Sequence, residues 1–199
     1  MVICRGACTS VVSVTAANKV GEYRHGWQPS SCGRSISLVS GSDRQMNEIR
    51  PAKASDAAKM RDIAQAAYHI YVAEMGKEPA PMGADYEAHI RDDRCFVAIS
   101  GTKITGFLVI LEKEGVWWLD NIAVAPDHQG NGIGRDLLLF AEAYVAGFAN
   151  SLSLYTNIVM KDNAAWYRRM GYKDSHHAVC DGYHRFYFTK RLGVSSERD

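Results

Sequence analysis

The feature that most constrains the fold is a glycine-rich loop between a predicted strand and a predicted helix. Gly130, Gly132 and Gly134 follow a strand predicted over 116–124, and a helix predicted over 133–149 begins among them. Glycine lets successive backbone N–H groups turn toward one point, and a helix N-terminus adds partial positive charge. Such a concavity binds a phosphate or pyrophosphate, although the same glycines also suit a tight turn without a ligand.

The residues around this loop argue against two common nucleotide sites. A Walker loop needs Gly-Lys-Ser/Thr, whereas Gly134 is followed by Arg135 and neither Ser nor Thr comes next. A dinucleotide-binding fold needs a different glycine spacing and an acidic residue at the end of the next strand. The next strand is predicted over 151–156 and ends without an acid. The sequence therefore disfavours an NTPase and an NAD-dependent enzyme.

Hydrophobic periodicity and turn residues predict an α/β (α+β) chain in which strands and helices alternate. The predicted elements are a strand at 48–52, helices at about 55–74 and 85–91, strands at 95–100, 104–111 and 116–124, a helix at 133–149, a strand at 151–156, a helix from Asn163 to Gly171, and strands at about 174–180 and 183–190. Ser55, Asp56 and Asn163 are predicted helix caps, and Gly171 is a predicted left-handed residue after its helix.

Two predicted helices carry an apolar face at the spacing of helix turns. The apolar positions are Met60, Ile63, Ala67, Ile70 and Tyr71 in the first helix, and Leu137, Leu138, Ala141, Val145 and Phe148 in the later one. We expect both faces to pack on the sheet.

Composition and charge set limits on the class of protein. The 199 residues are 47% apolar and 23% charged, an ordinary globular mixture that can bury a core in one domain. The formal net charge of +1 indicates no nucleic-acid partner, and no apolar run approaches the ~20 residues of a membrane-spanning helix.

Residues 1–45 differ from the remainder of the chain. They are rich in Ser, Gly, Val and Thr, show no sustained period, and carry a net charge of +3 against about −2 for the rest. Three interpretations stay open: a disordered tail, an upstream extension with the natural start at Met46, or a targeting segment.

The cysteines form no disulfide framework, because three of the five lie in the first 32 residues and the other two are far apart. This distribution favours a reducing, cytoplasmic location. Cys4, Cys8, His25 and Cys32 match no common zinc template, so we expect no metal site.

Two motifs together resemble the GCN5-related N-acetyltransferase (GNAT) family. The first is Gln129-x-x-Gly132-x-Gly134 after the strand segment 119–126, and the second is Asn163-x-x-x-Tyr167-x-x-x-Gly171-Tyr172. The resemblance covers about residues 47–192, the predicted N-acetyltransferase domain. It implies a mixed sheet of about six to seven strands flanked by about four helices, acetyl-CoA as co-substrate, and an amine acceptor. Members of the family are often homodimers.

The resemblance also implies which residues bind the coenzyme. Backbone amides of the loop would hold the pyrophosphate, the strand before it would pair with the pantetheine arm, and the second motif would contact the coenzyme near its sulfur. The implied residues are Ile122, Ala123, Val124, Gln129, Gly130, Asn131, Gly132, Ile133, Gly134, Arg135, Asn163 and Tyr167. For Asn163 a simple helix cap, and for Tyr167 a packed aromatic, are the structural alternatives.

Transfer to an amine requires a base for the ammonium and an acid for the departing thiolate. Tyr167 is the predicted acid. Asp120 is the predicted base, because the family often places an acidic residue on this strand, and strand alternation predicts that Asp120 and Asn121 face opposite sides. Glu112, Glu114 and His128 are weaker candidates, at a turn or beside the loop.

The acceptor is predicted to meet the first two helices and the loop between them, with Glu74, Met82, Asp85 and Tyr86 as candidate contacts. Asp85 and Glu74 equally suit a charged helix end. A small amine, a peptide N-terminus and a protein lysine stay open. The main alternative to an enzyme is a non-catalytic acyl-CoA sensor or partner-binding module on the same fold. A toxin-type enzyme acting on charged tRNA is disfavoured by the near-neutral charge.

Overall fold

A computed structural model describes residues 47–91 and 94–193, and shows a seven-stranded mixed sheet with four α-helices. The strands are β1 Glu48–Pro51, β2 Cys95–Ser100, β3 Lys103–Lys113, β4 Val116–Val124, β5 Ser151–Asn157, β6 Lys173–Cys180 and β7 Tyr183–Arg191. The helices are α1 Ala57–Met75, α2 Tyr86–Arg91, α3 Ile133–Ala146 and α4 Lys161–Arg169. The predicted fold class and order of elements are confirmed. The interpretations of residues 1–45, including the zinc ligands, fall outside the described residues.

The sheet opens between β4, its central strand, and the neighbouring β5. The strand order is β1-β2-β3-β4-β5-β7-β6, and the neighbours are antiparallel except for the parallel pair β4 and β5. In the described chain these two strands pair only at Trp118 with Ser153 and at Leu119 with Leu154. Because β3 covers the other side of β4 as far as Val124, the edge of β4 beyond Leu119 faces this opening.

Helices cover both faces of the sheet. Phe107 meets Tyr86 of α2 edge-on, with ring centroids 5.2 Å apart, so α2 lies on the face to which Phe107 points. Phe96, whose register partner is Leu108, packs 4.8 Å from Phe140 of α3, on the opposite face. Tyr167 of α4 contacts Phe188, which lies on this second face. We call these the α1/α2 face and the α3/α4 face.

Gly106 lets α3 approach the sheet closely. A Cβ atom at Gly106 would lie 2.9 Å from the Ala123 carbonyl oxygen, 3.1 Å from Leu137 Cδ1 and 3.3 Å from Ile133 Cγ2. Such contacts are too short, so a larger residue would push the start of α3 away from β3 and β4. The glycine loop at that helix end is thus held against the sheet.

Three local predictions are wrong. Ile70 is 72% exposed, because it lies roughly 100° around the helix from the centre of the buried stripe, where Tyr68 packs instead. Phe148 lies beyond the end of α3 and is 63% exposed, stacked on Trp117. Asn163 is not a cap, since α4 begins two residues earlier.

Two other helix ends lie where the sequence predicts them. Asp56 directly precedes α1, but its side chain makes no capping hydrogen bond to the helix. Its carboxylate instead accepts hydrogen bonds from the Lys53 N–H at 2.7 Å and from the Arg50 guanidinium at 2.7 Å. Gly171 has a φ of 89° after α4, as expected for a residue that ends a helix in the left-handed conformation. In the described residues no helix is both long and apolar enough to cross a bilayer.

Candidate active site

The glycine loop adopts the left-handed backbone conformation that its composition predicts. Gly130 has a φ of 79° and Gly132 a φ of 78°, and Gly132 occupies the cap position of α3. The first intrahelical bond of α3 runs from the Asp136 N–H to the Gly132 carbonyl, at 3.0 Å. The N–H groups of the preceding helical residues come before this ladder begins, so they are available to an anion at the helix end.

A groove of about 390 Å³ brings the two motifs together on the α3/α4 face. The loop and the first turn of α3 form one wall, and α4 forms the other. The lining residues predicted from the sequence are Val124, Gln129, Gly130, Gly132, Ile133, Gly134, Arg135 and Asn163. Gln129 also closes the loop on itself, because its side-chain amide donates to the Val124 carbonyl at 3.1 Å.

The other predicted coenzyme residues lie outside this lining. Ile122 and Ala123 are fully buried, on the stretch of β4 that faces the opening. Asn131 is exposed at the tip of the loop. Tyr167 is fully buried and meets the rings of Trp166, Tyr172 and Phe188 within about 6 Å. Its role as the acid stays a prediction.

Four further groove residues were not predicted as coenzyme contacts: His128, Asp162, Trp166 and Arg169. Helical spacing could have predicted three of them. Residues three to four apart lie on the same side of a helix, and Asp162, Trp166 and Arg169 follow that spacing. Arg169, with Arg135 across the groove, gives the site two cations for a phosphate-bearing ligand.

A bulge in β4 overturns the alternation expected for Asp120 and Asn121. Val109 of β3 pairs with Asn121, but the next residue, Ile110, pairs with Leu119, so Asp120 is the inserted residue. Counting inward from both ends of β4 places Asp120 and Asn121 on the same α1/α2 face. The prediction that only one of them can face a given side was wrong, because an inserted residue breaks the two-residue period.

These two side chains have different partners on that face. The Tyr155 hydroxyl donates to Asp120 Oδ1 at 2.9 Å. The Tyr68 hydroxyl donates to Asn121 Oδ1 at 2.9 Å, and the Asn121 amide donates to the Tyr86 hydroxyl at 3.1 Å. Asp120 is 3% exposed and Asn121 2%.

The candidate acceptor residues are not brought together as a group. Tyr86 is fully buried, and its hydroxyl donates to the Pro81 carbonyl at 2.8 Å. Met82 is half-buried against the core, whereas Glu74 and Asp85 are exposed. Asp85 accepts from the Ala88 N–H at 2.9 Å, a hydrogen bond that holds the pKa of its carboxyl below the ordinary value. The helix-end alternative therefore accounts for Asp85.

The weaker base candidates also have local explanations. Glu112 accepts from the Gly115 N–H at 2.7 Å and so closes the turn between β3 and β4. Glu114 lies in that turn, with a φ of 55°. His128 lines the groove between the glycine loop and α4. Asp120 is thus the candidate base that lies at the opening of the sheet.

The loop after α1 is tied to the β6–β7 turn across this face. The Lys77 ammonium donates to the Asp181 carbonyl at 2.9 Å and lies 3.3 Å from the centroid of the Tyr183 ring. The Tyr183 hydroxyl donates to the Glu78 carbonyl at 2.7 Å. These contacts join segments that are more than 100 residues apart in the sequence.

Known structures share this fold over nearly their full length. The ribosomal-protein-S18-alanine N-acetyltransferase of Escherichia coli is 20% identical, with a TM-score of 0.60 over 77% of this chain and 99% of its own. The PaiA N-acetyltransferase of Thermoplasma acidophilum, solved with coenzyme A, is 19% identical, with a TM-score of 0.62 over 72% and 98%. The Salmonella typhimurium protein YncA, solved with its cofactor acetyl-CoA, is 16% identical, with a TM-score of 0.56 over 77% and 98%.

The sequence itself matches one family model. Residues 91–174, from the end of α2 through both motifs to the start of β6, match the model described as an acetyltransferase (GNAT) domain. No curated protein sequence is significantly similar to the chain. The match to the acetyltransferase (GNAT) domain model thus spans the loop and the groove, and the chain has the fold of the solved acetyltransferases.

Proposed function

We propose that the protein transfers an acetyl group from acetyl-CoA to a primary amine by direct attack. The observation that carries the proposal is that one groove holds both motifs and ends beside Val124, on the edge of β4 that β5 leaves open. A coenzyme bound by its pyrophosphate at the loop could thus run along that edge. Its thioester would come to the point where β4 and β5 part.

The groove suits the coenzyme in shape and charge. The first-turn amides of α3 and the two arginines, Arg135 and Arg169, favour a pyrophosphate. The open stretch of β4, from Ile122 to Val124, offers ladder-type hydrogen bonds to a peptide-like pantetheine arm. Coenzyme A and acetyl-CoA in the structures of the two relatives support this assignment, while the residue contacts in this chain are our proposal.

The chemistry removes two protons from the acceptor nitrogen. The ammonium loses the first proton to Asp120, directly or through a water molecule, and the neutral amine then attacks the thioester carbonyl carbon. A backbone N–H of β4 would stabilise the oxyanion that forms. The carbon–sulfur bond then breaks, and Tyr167 donates a proton to the departing thiolate. The second proton of the attacking nitrogen returns to the Tyr167 oxygen through water, which gives the neutral amide and restores the phenol. The products are the N-acetylated amine and free coenzyme A, with no covalent enzyme intermediate.

Release of coenzyme A thiol is the direct test. The full chain is incubated with acetyl-CoA and, separately, with an alkyl polyamine, a peptide with a free N-terminus, and an N-terminally blocked peptide with one lysine. We expect acceptor-dependent thiol release with at least one class, and mass spectrometry of the acceptor should show one added acetyl group. Tight binding of coenzyme A without such release would instead support an acyl-CoA sensor.

A further inference from the structure

Asp120 and Tyr155 face each other at the apex of the opening in the sheet. The last register pair between β4 and β5 is Leu119 with Leu154, and Asp120 and Tyr155 are the next residue of each strand. At this position the Tyr155 hydroxyl donates to Asp120 Oδ1 at 2.9 Å. A side-chain hydrogen bond therefore continues across the two strands where their backbone pairing stops.

The Tyr155 ring is in turn held by a buried cation. The guanidinium carbon of Arg185 lies 4.8 Å from the centroid of the Tyr155 ring, and Arg185 is 1% exposed. Burial lowers the pKa of Arg185, but the neighbouring Tyr155 and Tyr187 outweigh it, so Arg185 stays a cation. Positive charge beside a phenol ring draws electron density from its hydroxyl and strengthens the hydrogen bond that the hydroxyl donates.

We infer that Tyr155, supported by Arg185, is a positioning residue for the base: it fixes the Asp120 carboxylate at the apex and favours its ionised form. This rests on the proposed function, in which Asp120 takes the proton of the amine. A hydrogen bond donated to a carboxylate stabilises the charged form over the neutral one.

Other titratable groups pack on the same face and are part of the same environment. They come from each neighbouring element: Tyr68 of α1, Tyr86 and His89 of α2, His176 of β6, and Arg185 and Tyr187 of β7. Tyr68 supplies a matched control. Its hydroxyl also donates at 2.9 Å to a buried β4 side chain, but the acceptor is Asn121, which does not titrate.

The first experiment measures kcat/KM against pH with the fastest acceptor from the amine panel, for wild type, Tyr155→Phe and Tyr68→Phe. We expect the acidic limb of the Tyr155→Phe profile to move to higher pH by about one unit, a loss of about tenfold on that limb. The Tyr68→Phe limb should stay where it is. Because the amine contributes the same ionisation to all three proteins, a difference between them reports on the enzyme.

The second experiment needs no acceptor. The chemical shift of the Asp120 carboxyl carbon is titrated by NMR in protein carrying labelled aspartate, with Asp120→Asn to assign the resonance. We expect its midpoint to rise in Tyr155→Phe and to stay in place in Tyr68→Phe. A melting curve of each variant shows that it is folded before either measurement.

The outcomes separate this inference from the proposed function. An NMR midpoint unaffected by Tyr155→Phe overturns the positioning role even in an active enzyme. A shifted midpoint with an unmoved kinetic limb also overturns it, because Asp120 then does not act as the base. Absence of thiol release from wild type with every amine rejects the proposed function, and with it the catalytic part of the inference, whatever the NMR titration shows.

Discussion

The two faces of the sheet present their functional residues in different ways. On the α3/α4 face, the groove is built from two short segments of the chain, and the glycine loop and the helix end contribute through their backbone. On the α1/α2 face, the cluster around Asp120 draws side chains from α1, α2, β5 and β7, which are far apart in sequence. Backbone recognition needs a local pattern of glycines, whereas side-chain recognition needs the whole fold.

The comparison teaches why a donor is easier to assign than an acceptor. A pyrophosphate is bound by amides and a helix end, and these leave a mark in the sequence that is largely independent of the surrounding residues. An acceptor is selected by side chains that any member of the fold can exchange. The following predictions test whether a substitution on one face changes coenzyme binding or catalysis without affecting the other.

The largest effect is expected for Gly132→Glu on the α3/α4 face, where we propose that the acetyl donor binds. The variant puts a side chain at a φ of 78° and a negative charge at the anion end of α3. We expect the affinity for coenzyme A, measured by calorimetry, to fall by at least about 100-fold. Gly101→Glu is the control, because Gly101 has a φ of 61° in the β2–β3 turn. Equal losses in the two variants would mean that general strain, and not the loop, determines binding.

The second largest effect is expected for Asp120→Asn on the α1/α2 face. Loss of a general base lowers kcat/KM by about 10²–10⁴, while the affinity for coenzyme A should stay within about twofold of wild type. Glu112→Gln is the control, because that carboxylate is engaged by the β3–β4 turn. If the two variants retain similar activity, Asp120 has a structural role and the amine is deprotonated elsewhere.

Tyr167 packs on the α3/α4 face, but its predicted role is in the transfer to the acceptor, so its substitution sharpens the comparison. We expect Tyr167→Phe to lower kcat by about 10-fold to 100-fold, with little change in coenzyme affinity, if chemistry limits the rate. Tyr172→Phe is the control, since Tyr172 is 2% exposed and its ring lies 5.9 Å from that of Tyr167. An unaltered kcat in Tyr167→Phe would move the acid role to water.

The smallest effect is expected for Asp56→Asn, which weakens the anchor of α1. The hydrogen bond from Arg50 is the main reason that the pKa of the Asp56 carboxyl lies below its ordinary value, and the hydrogen bond from the Lys53 N–H lowers it further. A carboxyl whose pKa is lowered by folding adds stability above its unfolded pKa of about 3.9, and this is lost as the pH falls through the folded value. We expect a loss of about 1–3 kcal/mol in urea unfolding at pH 7 that disappears at low pH.

A more exposed ion pair gives the matched control for this last prediction. The Asp174 carboxylate pairs with Arg168 at 2.7 Å, but their side chains are 42% and 45% exposed. Solvent screens such a pair, so Asp174→Asn should cost less than about 1 kcal/mol. Coenzyme affinity should be unaffected by Asp56→Asn. A reduced affinity would show that the anchor of α1 is coupled to the groove on the α3/α4 face.

Several local errors share one physical cause, which is that packing overrides periodicity. Ile70 fits the apolar pattern of α1, yet it is exposed because Tyr68 fills the stripe against Asn121. Phe148 continues the pattern of α3, yet the helix ends at Ala146 and the ring stacks on Trp117 instead. A one-dimensional pattern records which residues are apolar, while the available neighbours decide which of them are buried.

By itself the sequence determined the fold class, the order of elements and the glycine loop, because glycine spacing, turn residues and hydrophobic periods are local. Only the tertiary structure decided which residues face each other at the opening of the sheet. The bulge at Asp120 reverses the side expected for one of two neighbouring side chains. Tyr155 then contacts Asp120, Arg185 contacts Tyr155, and Tyr68 contacts Asn121, each from a separate element. Such contacts depend on strand register, which one residue can change and no local period records.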